Sequence, residues 1–139
     1  MAASAGGRVS SRSLFSFTDR IEYAYAAAHM VIARAGALTL AEIAAAGLPS
    51  ILVPYPFAAG DHQTKNAALF EKAGAALVVS DSGLKEINLL QEAVRLFMDG
   101  KTASMTRAVE ELRQKRARPA ADLIVDEILT ILNISRGAK

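Results

Sequence analysis

Two short polar clusters interrupt a chain otherwise rich in alanine and leucine. The first is Arg34-Ala35-Gly36-Ala37-Leu38-Thr39, with Glu42 shortly after it. The second is Asp61-His62-Gln63-Thr64-Lys65-Asn66. Each follows an apolar run and opens a helix-forming stretch. A strand-to-helix turn of this kind aims free backbone N–H groups and the positive end of the helix dipole at one spot. Gly36 lets the phosphates of a ligand approach the backbone closely. The dipole contributes only about 0.3–1 kcal/mol, so several N–H donors must share the work. Every βα unit has such a turn, and this one is weaker than a full Gly-x-Gly-x-x-Gly fingerprint.

Thr39 and Glu42 have the Thr-x-x-Glu spacing of a capping box. The same carboxylate suits a ribose diol, as acidic residues do in dinucleotide sites. Spacing alone favours the cap. Arg34 suits a phosphate, which it would grip with two parallel hydrogen bonds, and equally an ion pair at a strand end. Asp61 is expected to N-cap the second helix. Gln63 lies near that helix end, and its carboxamide both donates and accepts, which suits sugar hydroxyls. His62 has no carboxylate partner at catalytic spacing and reads as a residue lining the site. With two His and no Cys in the chain, a zinc site is not expected, and no metal or cofactor is assigned.

The elements that must position these groups follow from apolar periodicity. Residues 18–28 read as a short helix, with Ile21, Ala24, Tyr25 and Ala28 at i, i+3, i+4 and i+7. Residues 30–33, 50–53 and 75–79 read as buried strands. Helices are expected over 38–46, stopped by Gly47 and Pro49, and over 61–72, closed by Gly74. Further on, Leu84, Ile87, Leu90, Val94 and Phe97 form one apolar stripe. Met105, Ala108, Val109 and Leu112 form a second. Pro119 opens a last helix carrying Leu123, Ile124, Ile128, Ile131 and Leu132. The basic run Arg113, Lys115, Arg116 and Arg118 reads as decoration of a helix C-terminus. The alternation predicts an α/β fold: a partial Rossmann-like parallel sheet with flanking helices and a helical C-terminal segment.

At 139 residues, 52% hydrophobic and 22% charged, the chain can build a real core. A net charge of +2 does not suggest a nucleic-acid binder, although the isoelectric point is near 9.1. The absence of Cys excludes disulfides and thiol chemistry. Residues 1–13 are small, Ser-rich and Arg-bearing, in the style of a transit peptide; we read them as a flexible tail. Residues 135–139 read as a second tail.

Taken together, the motifs resemble the MurG family, the peptidoglycan N-acetylglucosaminyltransferases that convert lipid I to lipid II. The resemblance is carried by Phe17, by Ala24 to Ala28, by Arg34 to Thr39, by Glu42 to Pro49, by Val53-Pro54, by Asp61 to Ala67 and by Gly74 to Ala76. It covers residues 14–134. It implies the C-terminal part of a GT-B donor domain, which binds UDP-N-acetylglucosamine. A backbone group at Thr18 would read the uracil. Ala37, Leu38, Thr39, Leu40, Ala41 and Glu42 would contact the nucleotide sugar, with the diphosphate at the helix N-terminus and Glu42 on the ribose. Gln63 and His62 would contact the GlcNAc hydroxyls, and Arg34, Gly36 and Asn66 complete the expected set.

His29 stands where the family usually has Asp, and Thr18 where it commonly has an apolar residue. The acceptor domain, the Gly-rich first βα unit and the family's candidate base fall outside this sequence, so no catalytic residue is assigned. The resemblance further implies lipid I as acceptor through that other domain, and a peripheral place on the cytoplasmic face of the bacterial inner membrane. The alternatives are the donor subunit of a split lipid-linked GlcNAc transferase and a non-catalytic nucleotide-sugar module. A half-sheet leaves an edge uncovered, which predicts self-association.

Overall fold

Three apolar runs become the strands of one parallel sheet in the computed structural model, which describes residues 13, 15–115 and 128. In chain order the elements are α1 (Ile21–Ala27), β1 (Val31–Ala33), α2 (Ala37–Ala46), β2 (Ser50–Leu52), α3 (His62–Lys72), β3 (Ala76–Val78), α4 (Leu89–Met98) and α5 (Lys101–Lys115). Short 3-10 turns at Ala59–Asp61 and Ser82–Lys85 precede α3 and α4. The strand order is β1-β2-β3, with Val31 beside Ser50 and Ser50 beside Ala76. The expected partial Rossmann-like sheet is therefore present. Predicted strand boundaries, and those of the second and third helices, hold within a residue or two.

Side-chain alternation along the strands divides the core in two. Leu52, Ala76 and Val78 point toward α2, α3 and α5, where they meet Leu40, Ile43, Phe70 and Val109. Ile51, Val53 and Val79 point the other way, against Leu96 of α4 and Met105 of α5. The stripe predicted on α5 is borne out: Met105 and Val109 are buried, and Ala108 and Leu112 pack in the cluster that holds Val109. Gly47 takes the left-handed conformation at φ 69°, which stops α2 as the sequence predicts. Ser50 is wholly buried, and its hydroxyl has no partner among the described residues.

Four local expectations need correction. The first helix starts at Ile21, not Thr18, because the Thr18 hydroxyl accepts from the Arg20 N–H at 3.1 Å and holds a turn instead. Thr39 and Glu42 do not form a capping box. Gly36 occupies the N-cap, so Thr39 already lies inside the helix. Asp61 occupies the N-cap of α3 but makes no capping bond. Its φ of 55° is left-handed, whereas a capping side chain needs an extended backbone to reach back to the helix amides.

The fourth correction concerns α4. Asn88 caps it, accepting from Leu90 and Gln91 N–H at 3.1 and 3.2 Å. Leu84 and Ile87 therefore precede the helix. The face turned to the sheet carries Leu89, Ala93 and Leu96, while Leu90, Val94 and Phe97 of the predicted stripe are more than half exposed. The predicted helix after Pro119 lies outside the described residues apart from Ile128, which is exposed.

Candidate functional site

Parallel strands bring all their C-terminal ends to one edge, and both polar clusters leave from that edge. At the first, α2 opens on Gly36 with no side chain capping it. The N–H groups of Ala37, Leu38 and Thr39 are the ones an α-helix leaves without an internal partner. Leu40 is different. Its side chain is buried and its N–H donates to Gly36 O at 2.9 Å, so it has little to offer a ligand. Ala37, Leu38 and Ala41 are exposed and Thr39 is half-buried.

The second cluster reaches back to the first. Gln63 Oε1 accepts from Ala35 N–H at 3.2 Å and from Tyr55 N–H at 3.0 Å. Asn66 Nδ2 donates to Ala35 O at 3.3 Å. Two N–H partners require oxygen at Oε1, so the amide of Gln63 has one orientation only, with its NH2 group left over. His62 is exposed, with its ring against Gly60: a Cβ added there would come within 3.1 Å of Nε2.

Arg34 ties the three strand ends together. Its Nη1 reaches the carbonyls of Val53 and Pro54 at 3.4 and 3.2 Å and forms an ion pair with Asp81 beyond β3. Its guanidinium lies 5.7 Å from the centre of the Tyr55 ring. Of the two sequence readings of this residue, the structure contains the ion pair.

Glu42 sits on the flank of α2 that faces α1. The Tyr25 hydroxyl donates to Oε2 at 3.1 Å, and Oε1 has no partner among the described residues. Burial raises the Tyr25 hydroxyl above the ordinary tyrosine value, and the bond to Glu42 and its negative charge add to the rise. Tyr25 was legible in the sequence only as an apolar position. Both residues line a hollow of about 610 Å³ between α1 and α2, together with Ile21, Ala28, Ala46 and Leu48. Glu42 is the one expected site residue on that wall. The hollow is mainly apolar and has no donor set for phosphates, so the strand-end edge is the better ligand platform. Thr18 lies exposed just before α1. Among the described residues no group of three His, Asp or Glu could hold a metal ion.

A parallel sheet whose strand ends present an uncapped helix N-terminus, with a carboxamide from the next junction tied to the turn before it, defines an α/β domain of the Rossmann-like class. The family model described as glycosyltransferase family 28 C-terminal domain matches residues 5–124, and the chain belongs to that family. A relative from Halothermothrix orenii is 52% identical over 88 residues, covering 63% of this chain and 24% of the relative. One from Sorangium cellulosum is 47% identical over 111 residues, covering 78% and 27%. Both are named UDP-N-acetylglucosamine–N-acetylmuramyl-(pentapeptide) pyrophosphoryl-undecaprenol N-acetylglucosamine transferase. The crystal structure of Acinetobacter baumannii MurG superimposes with a TM-score of 0.66 at 31% identity, over 85% of this chain and 33% of that one. The fold is thus that of the C-terminal half-domain of a GT-B glycosyltransferase, as the motifs imply. The chain spans about a quarter to a third of the length of the relatives it matches.

Proposed function

We propose that this chain provides the UDP-N-acetylglucosamine site of a hexosyltransferase that acts in peptidoglycan synthesis. The acceptor would be undecaprenyl-diphospho-MurNAc-pentapeptide, lipid I. The single observation that carries the reading is the uncapped first turn of α2, tied to the second junction by Gln63. A diphosphate set against the N–H groups of Ala37, Leu38 and Thr39 would satisfy donors that the protein leaves free. Glu42 would take a ribose hydroxyl through Oε1. The NH2 of Gln63 and the ring of His62 would face the hexose. In transfer, the contribution of this side is to orient the sugar and to stabilise the departing diphosphate. The names of the relatives point to the same donor and acceptor.

Calorimetric titration with UDP and UDP-GlcNAc tests this. Both should bind, and Glu42→Ala should weaken UDP by roughly tenfold, the loss of a charge-assisted hydrogen bond. Undiminished binding by that variant, or no binding by the parent chain, would overturn the reading.

No described helix is long and apolar enough to cross a membrane. A polyprenol-linked acceptor is anchored in a bilayer, which supports a peripheral site of action on the cytoplasmic face of the inner membrane. The outer edge of β1 has no strand partner among the described residues, and Ile32 on β1 and Val94 and Phe97 on α4 are exposed. These features support self-association of the chain. A light-scattering mass that stays at the monomer value at every concentration would count against it.

A further inference from the structure

We propose that Gln63 and Asn66 are positioning residues: they staple the β2–α3 loop to the β1–α2 turn and so set the donor amides of α2. Ala35 is the last residue before the N-cap Gly36, and it is wholly buried. Its N–H is held by Gln63 and its C=O by Asn66, both from the first turns of α3. The same Gln63 oxygen also holds Tyr55 N–H, in the loop that leaves β2. One carboxamide oxygen therefore fixes the spacing of two junctions that are separated by 20 residues of chain.

Two consequences follow. The path of the backbone into α2, and with it the direction in which the N–H groups of Ala37, Leu38 and Thr39 point, depends on α3. In addition, the Gln63 oxygen is fully engaged, so towards a sugar Gln63 can act only as a donor through Nε2. It can read a hydroxyl oxygen and cannot accept from a hydroxyl hydrogen. The ligand part of this inference rests on the sugar-nucleotide reading, while the staple itself does not.

The test has one arm without ligand and one with it. Amide hydrogen exchange, followed residue by residue by NMR on the full chain, should show Ala35 and Tyr55 protected in the parent protein. Gln63→Met removes the acceptor and should speed exchange at both by roughly tenfold or more. Gln63→Glu keeps an acceptor at the same reach and should restore the protection. If Gln63→Met does not fold, Asn66→Asp, which has no donor for Ala35 O, should loosen the Ala35 and Gly36 amides instead. Unchanged exchange in both variants overturns the staple.

In the ligand arm, Gln63→Met should weaken UDP itself by about tenfold, although UDP carries no hexose for Gln63 to touch. Loss of affinity for UDP-GlcNAc with UDP unaffected would reduce Gln63 to a hexose contact and overturn the positioning role. A parent chain that binds neither ligand sinks the sugar-nucleotide reading, and the exchange arm still decides whether the staple exists.

Discussion

The strand-end edge and the flank formed by α1, β1 and the outer side of α4 are held together in different ways. At the edge, polar side chains from distant parts of the sequence converge on backbone groups. Gln63 and Asn66 hold Ala35, and Arg34 holds the carbonyls of Val53 and Pro54. Each of these bonds crosses from one βα junction to the next. The flank has little of this. No residue of α1 is buried, and α4 turns Leu90, Val94, Phe97 and Met98 outward. Among the described residues the one aromatic ring pair there is His29 edge-on to Phe97, with ring centres 6.2 Å apart. A site edge must keep its donors in fixed directions, which hydrogen bonds do and apolar contact does not. A bare apolar flank is what a sheet shows where something else is meant to cover it.

The widest gap between the two regions should be seen in stability. Leu52→Ala empties a wholly buried position under the edge and should cost about 2–5 kcal/mol. Phe97→Ser removes a larger side chain from the flank and should change stability by no more than about 0.5 kcal/mol. Urea unfolding of the two variants against the parent measures both. A cost above about 2 kcal/mol for Phe97→Ser would mean that the flank is packed after all, and the contrast would be lost.

A smaller effect is expected at Arg34. Arg34→Ala unties the ends of β2 and β3 at once and should cost about 1 kcal/mol, since the pair with Asp81 is half exposed. Asp81→Asn removes only the ion pair and leaves the two carbonyl contacts, so it should cost less. Equal losses for the two variants would show that the carbonyl contacts contribute nothing, and that the edge is held no better than an ordinary surface pair.

The same contrast explains what could be read from the sequence. The strands were legible because short apolar runs bounded by Gly and Pro have few other uses, and Gly47 and Gly74 mark the helix ends. The inward face of α4 was not legible. Both of its sides carry large apolar residues, and periodicity does not say which side meets the sheet. The residue types of the candidate site, Arg34, Glu42 and Gln63, stood out, but their partners did not. Gln63 and Asn66 bond to backbone atoms of Ala35, whose identity leaves no trace in the sequence. Tyr25 counted as one apolar position of α1, while its hydroxyl reaches Glu42 across 17 residues of chain.

That Tyr25–Glu42 bond is the one side-chain hydrogen bond from α1 to α2 among the described residues, and it gives the smallest expected effect. The folded state holds the Tyr25 proton more tightly than the unfolded chain does, because burial and then Glu42 disfavour the phenolate. Stability from this source is complete below the unfolded tyrosine value of about 10 and is lost as pH rises through the higher folded value. Tyr25→Phe should therefore cost about 0.5–1 kcal/mol near neutrality, and the gap to the parent should close as the solution is made more alkaline. Paired thermal melts from about pH 8 to about pH 11 read it directly. A gap that stays constant across that range would mean that the hydroxyl does not rest on Glu42. In that case α1 is held to α2 by apolar contact alone, and Glu42 must be aimed by some other group.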